Sequence, residues 1–224
     1  MGKIALRYDA IVFDFDGVLV ESVDIKTRAF VELYRPHGES VARAVADYHL
    51  SHGGVSRYEK FRHFHHEFLG KDLPADEERG LASRFSVLVE DAVVKAPWVP
   101  GAREFLADFK GRLPMFVASA TPTTELKRIV ERRGMNDYFN GVWGAPATKR
   151  EIITDVVRIN KIPASRVLMV GDAVSDLQGA YQASVNFVGV VRRNQSNPFP
   201  SNVTIIADIN CLKSHLIECS SSSN

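Results

Sequence analysis

Cysteine is scarce: the 224 residues hold only two, Cys211 and Cys219, both close to the C-terminus. Such a pair suggests no disulfide framework, and a reducing cytoplasm is the expected location. An excess of one charge is also missing. Lys and Arg number 28 and Asp and Glu 27, a formal net charge of +1. That balance gives no reason to expect a nucleic acid or an anionic membrane as partner, although it allows a local basic pocket for one small anion. Long hydrophobic runs are absent. The apolar stretch in the first twenty residues is short and broken by acids, so it reads as neither a signal peptide nor a membrane span. Met1-Gly2 is not followed by the Ser or Thr at position 6 that myristoylation asks for, because Leu6 stands there. There is no internal repeat, and only the tail at 220–224 is of low complexity and expected to fray.

What is present is the composition of a soluble globular chain, 45% hydrophobic and 25% charged, long enough to bury a real core. Residues 10–13 are a β-prone run that ends at an acid, as buried parallel strands do. Residues 115–118, 167–170 and 185–191 are further β-prone runs, and 139–143 is a weaker fifth. Helical patterns fill the gaps between the later runs. Residues 125–133 stop at Gly134, and 150–160 put Ile152, Ile153, Val156 and Val157 on one face. This alternation predicts an α/β fold with a parallel sheet and right-handed crossovers.

Residues 22–94 break the alternation. They contain helical patterns only, among them a capping box of Ser56 with Glu59 ahead of Tyr58, Phe61 and Phe68. A second is an apolar stripe of Leu81, Phe85, Leu88, Val89 and Ala92. The block follows the first strand and precedes the rest of the α/β pattern, so it reads as an inserted helical domain. Its exit, Ala96-Pro97-Trp98-Val99-Pro100-Gly101, is stiff and turn-prone.

Four signals carry chemistry. Asp14 and Asp16 lie two apart after the first strand, where alternate residues of an extended segment face one site. Paired carboxylates repel, which favours a cation between them or a split in their pKa values. Gly171-Asp172 with Asp176 is a second strand end with two acids, and clustered oxygen ligands suit Mg²⁺. Ser119 closes the run 115–118, and Thr121 with Pro122 reads as the N-cap and first residue of a helix, a ready anion site. Lys149 falls in the first turn of a helix capped by Thr148 and Glu151. The helix dipole disfavours a cation there unless it faces an anion. Taken singly, each signal is also compatible with an ordinary loop, turn or surface lysine.

Together and in this order, the four resemble the haloacid dehalogenase-like hydrolase superfamily. Asp14-Phe15-Asp16-Gly17-Val18 matches its first motif, Ser119 its second, Lys149 its third, and Gly171-Asp172 with Asp176 its fourth. The position of the helical block is similar to the C1 cap of phosphoglycolate phosphatase-like and β-phosphoglucomutase-like members. Arg150 stands where many relatives have Pro, and Glu21 where many have Asp.

The resemblance implies a Rossmann-like core over 1–20 and 95–224 with a helical cap domain over 21–94. It implies a Mg²⁺-dependent phosphatase of small phosphorylated metabolites, such as sugar phosphates or phosphoglycolate. Asp14 would be the nucleophile that becomes an aspartyl-phosphate, and Asp16 the acid and then the base. Asp14, the backbone carbonyl of Asp16, Asp172 and Asp176 would hold the metal. Ser119, the Ala120 N–H and Lys149 would hold the phosphoryl oxygens.

Within the cap, Arg57 follows the flexible Gly53-Gly54 and is expected to meet a substrate anion on closure. Lys26 is expected to face the cleft. His63, His65 and His66 scatter around a helix and do not read as a metal site. A monomer or homodimer is expected, with no nucleic acid or membrane partner. The alternatives are a β-phosphoglucomutase-like phosphomutase, which shares Asp14 and Asp16, and a non-catalytic binding protein of the same fold. Dehalogenase chemistry is disfavoured because those members lack the acid at the position of Asp16.

Overall fold

The computed structural model describes residues 6–193 and 195–217; Cys219 and the tail at 220–224, expected to fray, lie outside them. The first strand, β1 (Ala10–Phe13), is wholly buried. Its side chains alternate between two apolar clusters, Ile11 and Phe13 in the larger, Ala10 and Val12 in the smaller. A strand buried on both faces needs helices on both sides, which is the parallel-sheet solution.

A helical stretch follows: α1 (Val23–Tyr34), α2 (Glu39–Ser51), α3 (Arg57–His63), a π-helical turn (Phe64–Phe68) and α4 (Ala75–Lys95). Their apolar faces converge on Phe30, whose ring centroid lies 4.3 Å from that of Phe85 and 5.6 Å from that of Phe61. Phe61 is fully buried, with Tyr58 and Phe68 packed against the same cluster. The Ser56 cap forms differently from a full capping box. Its Oγ accepts from Glu59 N at 3.3 Å and donates to the Glu59 carboxylate at 2.8 Å, so Glu59 reaches the hydroxyl rather than the backbone.

The remaining elements are α5 (Ala102–Phe109), β2 (Met115–Pro122), α6 (Thr123–Arg132), β3 (Gly141–Ala145), α7 (Lys149–Asn160), β4 (Val167–Gly171), α8 (Val174–Gln182), β5 (Asn186–Val190), β6 (Ile205–Ile206) and α9 (Leu212–Leu216). The sheet order is β3-β2-β1-β4-β5-β6, and every pairing is parallel. All five expected strands are present. The sixth has two residues, too few for any periodicity to reveal. Helix α7 carries both halves of the Thr148–Glu151 capping box. Thr148→Ala is expected to lower stability by about 1 kcal/mol, read as an earlier midpoint in urea unfolding at unchanged slope.

Two features fix the helical stretch to the sheet. Its entry and exit run antiparallel, with Glu21 N on Pro97 O and Val99 N on Leu19 O, each at 3.0 Å. Arg133 donates to the carbonyls of Val93, Val94 and Ala96 at 2.7 to 2.8 Å, satisfying the C-terminal end of α4. Among the described residues no helix is long and apolar enough to cross a membrane. Strand order reverses between β1 and β4, so the crevice beyond their carboxyl ends is where an open α/β sheet takes its ligand.

Candidate active site

That crevice is a cavity of about 750 Å³ between the sheet ends and the helical stretch. Asp14 leaves β1 with its N–H on Val170 O of β4 at 2.9 Å, which places it beside Asp172. Carboxylate oxygens of Asp14, Asp172 and Asp176 lie within 4.8 Å of one another. Gly17, at φ +77°, gives the turn its shape: a Cβ there would come 2.1 Å from Asp172 Oδ2.

The electrostatics of this trio are strained. Burial pushes the Asp14 carboxyl up to about 7; Lys149 opposes the shift while Asp176 and Asp16 add to it. Asp172 is raised for the same reasons, burial first and then the charges of Asp14 and Asp176. Lys149 is buried, with its Nζ 2.9 Å from Asp14 Oδ2 and also bonded to Asp176 Oδ1. One ammonium does not neutralise three acids. The donor set is all carboxylate oxygen, with Asp14 and Asp176 buried and Asp172 half-buried, and short of positive charge, and it fits a hard divalent cation.

Asp16 has a different setting. Its side chain stands outside the trio and accepts from Ser22 Oγ (2.5 Å), Lys26 Nζ (2.5 Å), Thr121 Oγ1 (3.2 Å) and, more weakly, Ser119 Oγ (3.4 Å). Burial works to raise its pKa, but Lys26 and these hydrogen bonds outweigh burial and hold the carboxyl below its ordinary value. Lys26 lines the cavity, and its Nζ bridges Asp16 and Thr121, the latter at 2.7 Å.

Ser119 is buried, and its Oγ accepts from Thr121 N at 3.1 Å; Ala120 lines the cavity. The expected helix start is corrected. Thr121 and Pro122 belong to β2, because pairing with β3 continues to Pro122 opposite Ala145, and α6 begins at Thr123. The hydroxyl of Thr121 is thereby freed from capping and turns to Asp16 and Lys26.

Arg57 is also corrected. Its guanidinium holds the Glu125 carboxylate with two bonds, 2.6 and 2.9 Å, and donates to Ser86 Oγ at 2.8 Å. Both side chains are nearly inaccessible, 4% and 3% exposed, so Arg57 is paired across the seam between α3 and α6. The preceding loop touches the sheet side as well. Ser175 Oγ donates to Gly53 O at 3.2 Å, and a Cβ on Gly54 would meet that hydroxyl at 2.0 Å. Of the three histidines, His65 is buried against Tyr34, His63 stacks on Tyr48 and His66 is exposed.

Sequence reasoning passed over Ser22, Arg192, His49 and Lys60. Arg192 donates to Glu21, the residue that departs from the usual Asp, and to Gly17 O at 3.3 Å. Lys60 had a legible signal: it lies three residues after Arg57, among the apolar residues Phe61 and Phe64.

A family model described as haloacid dehalogenase-like hydrolase matches residues 8–184. The chain is 27% identical to a 5'-nucleotidase of Pseudomonas aeruginosa, over 85% of this chain and 86% of that one. It is 25% identical to a phosphoglycolate phosphatase of Synechococcus elongatus, over 81% and 82%. It is 26% identical to the chloroplastic protein SUPPRESSOR OF QUENCHING 1 of Arabidopsis thaliana over 82% of its own length, but spans only 18% of that protein. A solved haloacid dehalogenase-like family hydrolase of Streptococcus pneumoniae superposes with a TM-score of 0.69 at 15% identity, covering 93% of this chain and 98% of that one.

Proposed function

The chain belongs to the haloacid dehalogenase-like hydrolase family, and from that premise we propose a magnesium-dependent phosphatase that works through an aspartyl-phosphate on Asp14. The substrate is a small phosphorylated metabolite. The observation that carries this reading is the trio of Asp14, Asp172 and Asp176, two buried and Asp172 half-buried, with Lys149 on Asp14. Phosphoric monoester hydrolysis is the activity named for two of the relatives.

Asp14 attacks phosphorus, and the bond to the leaving oxygen breaks. Asp16, protonated by an incoming monoester monoanion, gives that oxygen its proton. Water then attacks the aspartyl-phosphate, the bond to Asp14 breaks, and Asp16 takes the proton of the water. Asp16 held ionised by Lys26, Ser22 and Thr121 is the form needed for this second step. Asp14, Asp172, Asp176 and the Asp16 carbonyl would hold Mg²⁺, which would offset repulsion between a carboxylate nucleophile and a phosphate ester. Ser119, the Ala120 N–H and Lys149 hold the phosphoryl oxygens and stabilise charge in transfer. Residues 21–94 act as a cap domain over a core of 1–20 and 95–224.

The test is phosphate release from a panel of sugar phosphates, phosphoglycolate and nucleotides, with magnesium and after chelation. Release that depends on the metal is the expected result. A folded preparation that binds magnesium yet releases no phosphate from any member would overturn the reading.

A further inference from the structure

The cavity walls carry four cationic side chains, and three have a carboxylate. Lys26 lies against Asp16, Arg57 against Glu125 and Arg192 against Glu21. Lys60 is the exception. It is 1% exposed and lines the cavity, and among the described residues no carboxylate lies within ion-pair distance of its ammonium. Its one hydrogen-bond partner is His49 Nδ1, at 2.7 Å. The Phe30 ring, 5.7 Å away, adds a weak attraction.

While Lys60 is charged it has no lone pair, so in that state His49 accepts at Nδ1 and carries its own proton on Nε2. His49 is 8% exposed, and its Nε2 makes no hydrogen bond. The Val23 backbone is near enough to favour a proton on the ring without forming a bond of normal geometry. A buried charge without a counter-charge is expensive, and so is an orphaned polar hydrogen. Folding gains nothing evident from either. Both facts point to a partner that arrives from the cavity.

We propose that Lys60, supported by His49, is the receptor for a second anionic group on the substrate. The enzyme would then act on phosphomonoesters that also bear a carboxylate or another phosphate. This rests on the phosphatase reading above and names its substrate class. Burial first, and then Lys26, bring the Lys60 ammonium down to about 7, with Asp16, Asp172 and Glu59 opposing. An incoming anion supplies the charge that the wall lacks. Arg57, the residue expected from sequence to take this role, is already neutralised by Glu125.

Matched pairs of esters test it: 2-phosphoglycolate against ethyl phosphate, 3-phosphoglycerate against glycerol 3-phosphate, and fructose 1,6-bisphosphate against fructose 6-phosphate. The readout is the preference, as kcat/KM, for the member with the second anion. Wild type is expected to prefer that member in at least one pair, and Lys60→Met to cut the preference by about ten- to hundredfold, the value of a charged hydrogen bond. Whether the carboxylate pairs or the bisphosphate pair respond tells the two sources apart. A purely structural role would lower both members of a pair and leave the preference intact, which would overturn the proposal. If no ester is turned over, the phosphatase reading falls by itself. Calorimetric binding of the same six compounds then decides for or against Lys60 by the same comparison. Melting temperatures verify folding, and Lys60→Gln replaces Lys60→Met if the latter does not fold.

Discussion

Asp14→Asn is expected to lower phosphate release by at least about a thousandfold while the protein stays folded. Asparagine keeps the shape of the side chain and removes its nucleophilic oxygen. It also removes a carboxyl from a crowded acidic site, in which Asp176 raises the Asp14 carboxyl and Asp14 and Asp176 raise that of Asp172. Against this, Lys149 loses one of its two partners but keeps Asp176. The two changes oppose each other, so the melting temperature should move by only a few degrees. The measurement is phosphate release on a preparation whose mass confirms asparagine, because deamidation would restore the nucleophile. Substantial turnover by such a preparation would remove Asp14 from the role. A variant that fails to fold would leave the comparison to Asp14→Ser, which is smaller and equally unable to form the acyl phosphate.

Much of the sheet was legible because its strands are short apolar runs, two of which end at acids, and both features are local. Ala10–Phe13 with Asp14 and Val167–Gly171 with Asp172 can be read without knowing where either strand lies in the sheet. The Lys149 helix start was legible for the same reason, since Thr148 and Glu151 are three residues apart. What was not legible depends on residues far apart in the chain. Thr121 reads as an N-cap until β3 is known to pair as far as Pro122, which moves the helix start to Thr123. Arg57 reads as a free cation until Glu125, 68 residues later, is placed against it. The meeting of Lys60 with His49, eleven residues apart on two helices, is set only when α2 and α3 are packed on Phe30. Local pattern identifies groups that must meet a ligand, but not which cations are already neutralised by the protein itself.

The Arg57–Glu125 pair carries the largest stability effect expected here. Glu125→Ala leaves a guanidinium buried at the seam, with only the Ser86 hydroxyl and the Phe85 face, 4.5 Å away, to compensate it. Breaking a buried pair from one side costs about 3–5 kcal/mol. Replacing both members with apolar residues of similar size is often close to neutral. Urea unfolding should therefore show a large loss for Glu125→Ala and recovery of most of it in Arg57→Met/Glu125→Leu. The ion pair joins α3 of the helical stretch to α6 beside the sheet, so the single variant should also lose substrate affinity. Position 125 stands outside the cavity's reacting groups, and that loss would report on how the two layers are held together. A stability loss under about 1 kcal/mol would mean that water reaches the pair in solution. The layers would then part often enough to release Arg57, and the anion role first expected for it would return as a rival to Lys60. The two variants separate these cases: Glu125→Ala tests whether Arg57 is held, and Lys60→Met tests whether the cavity needs it.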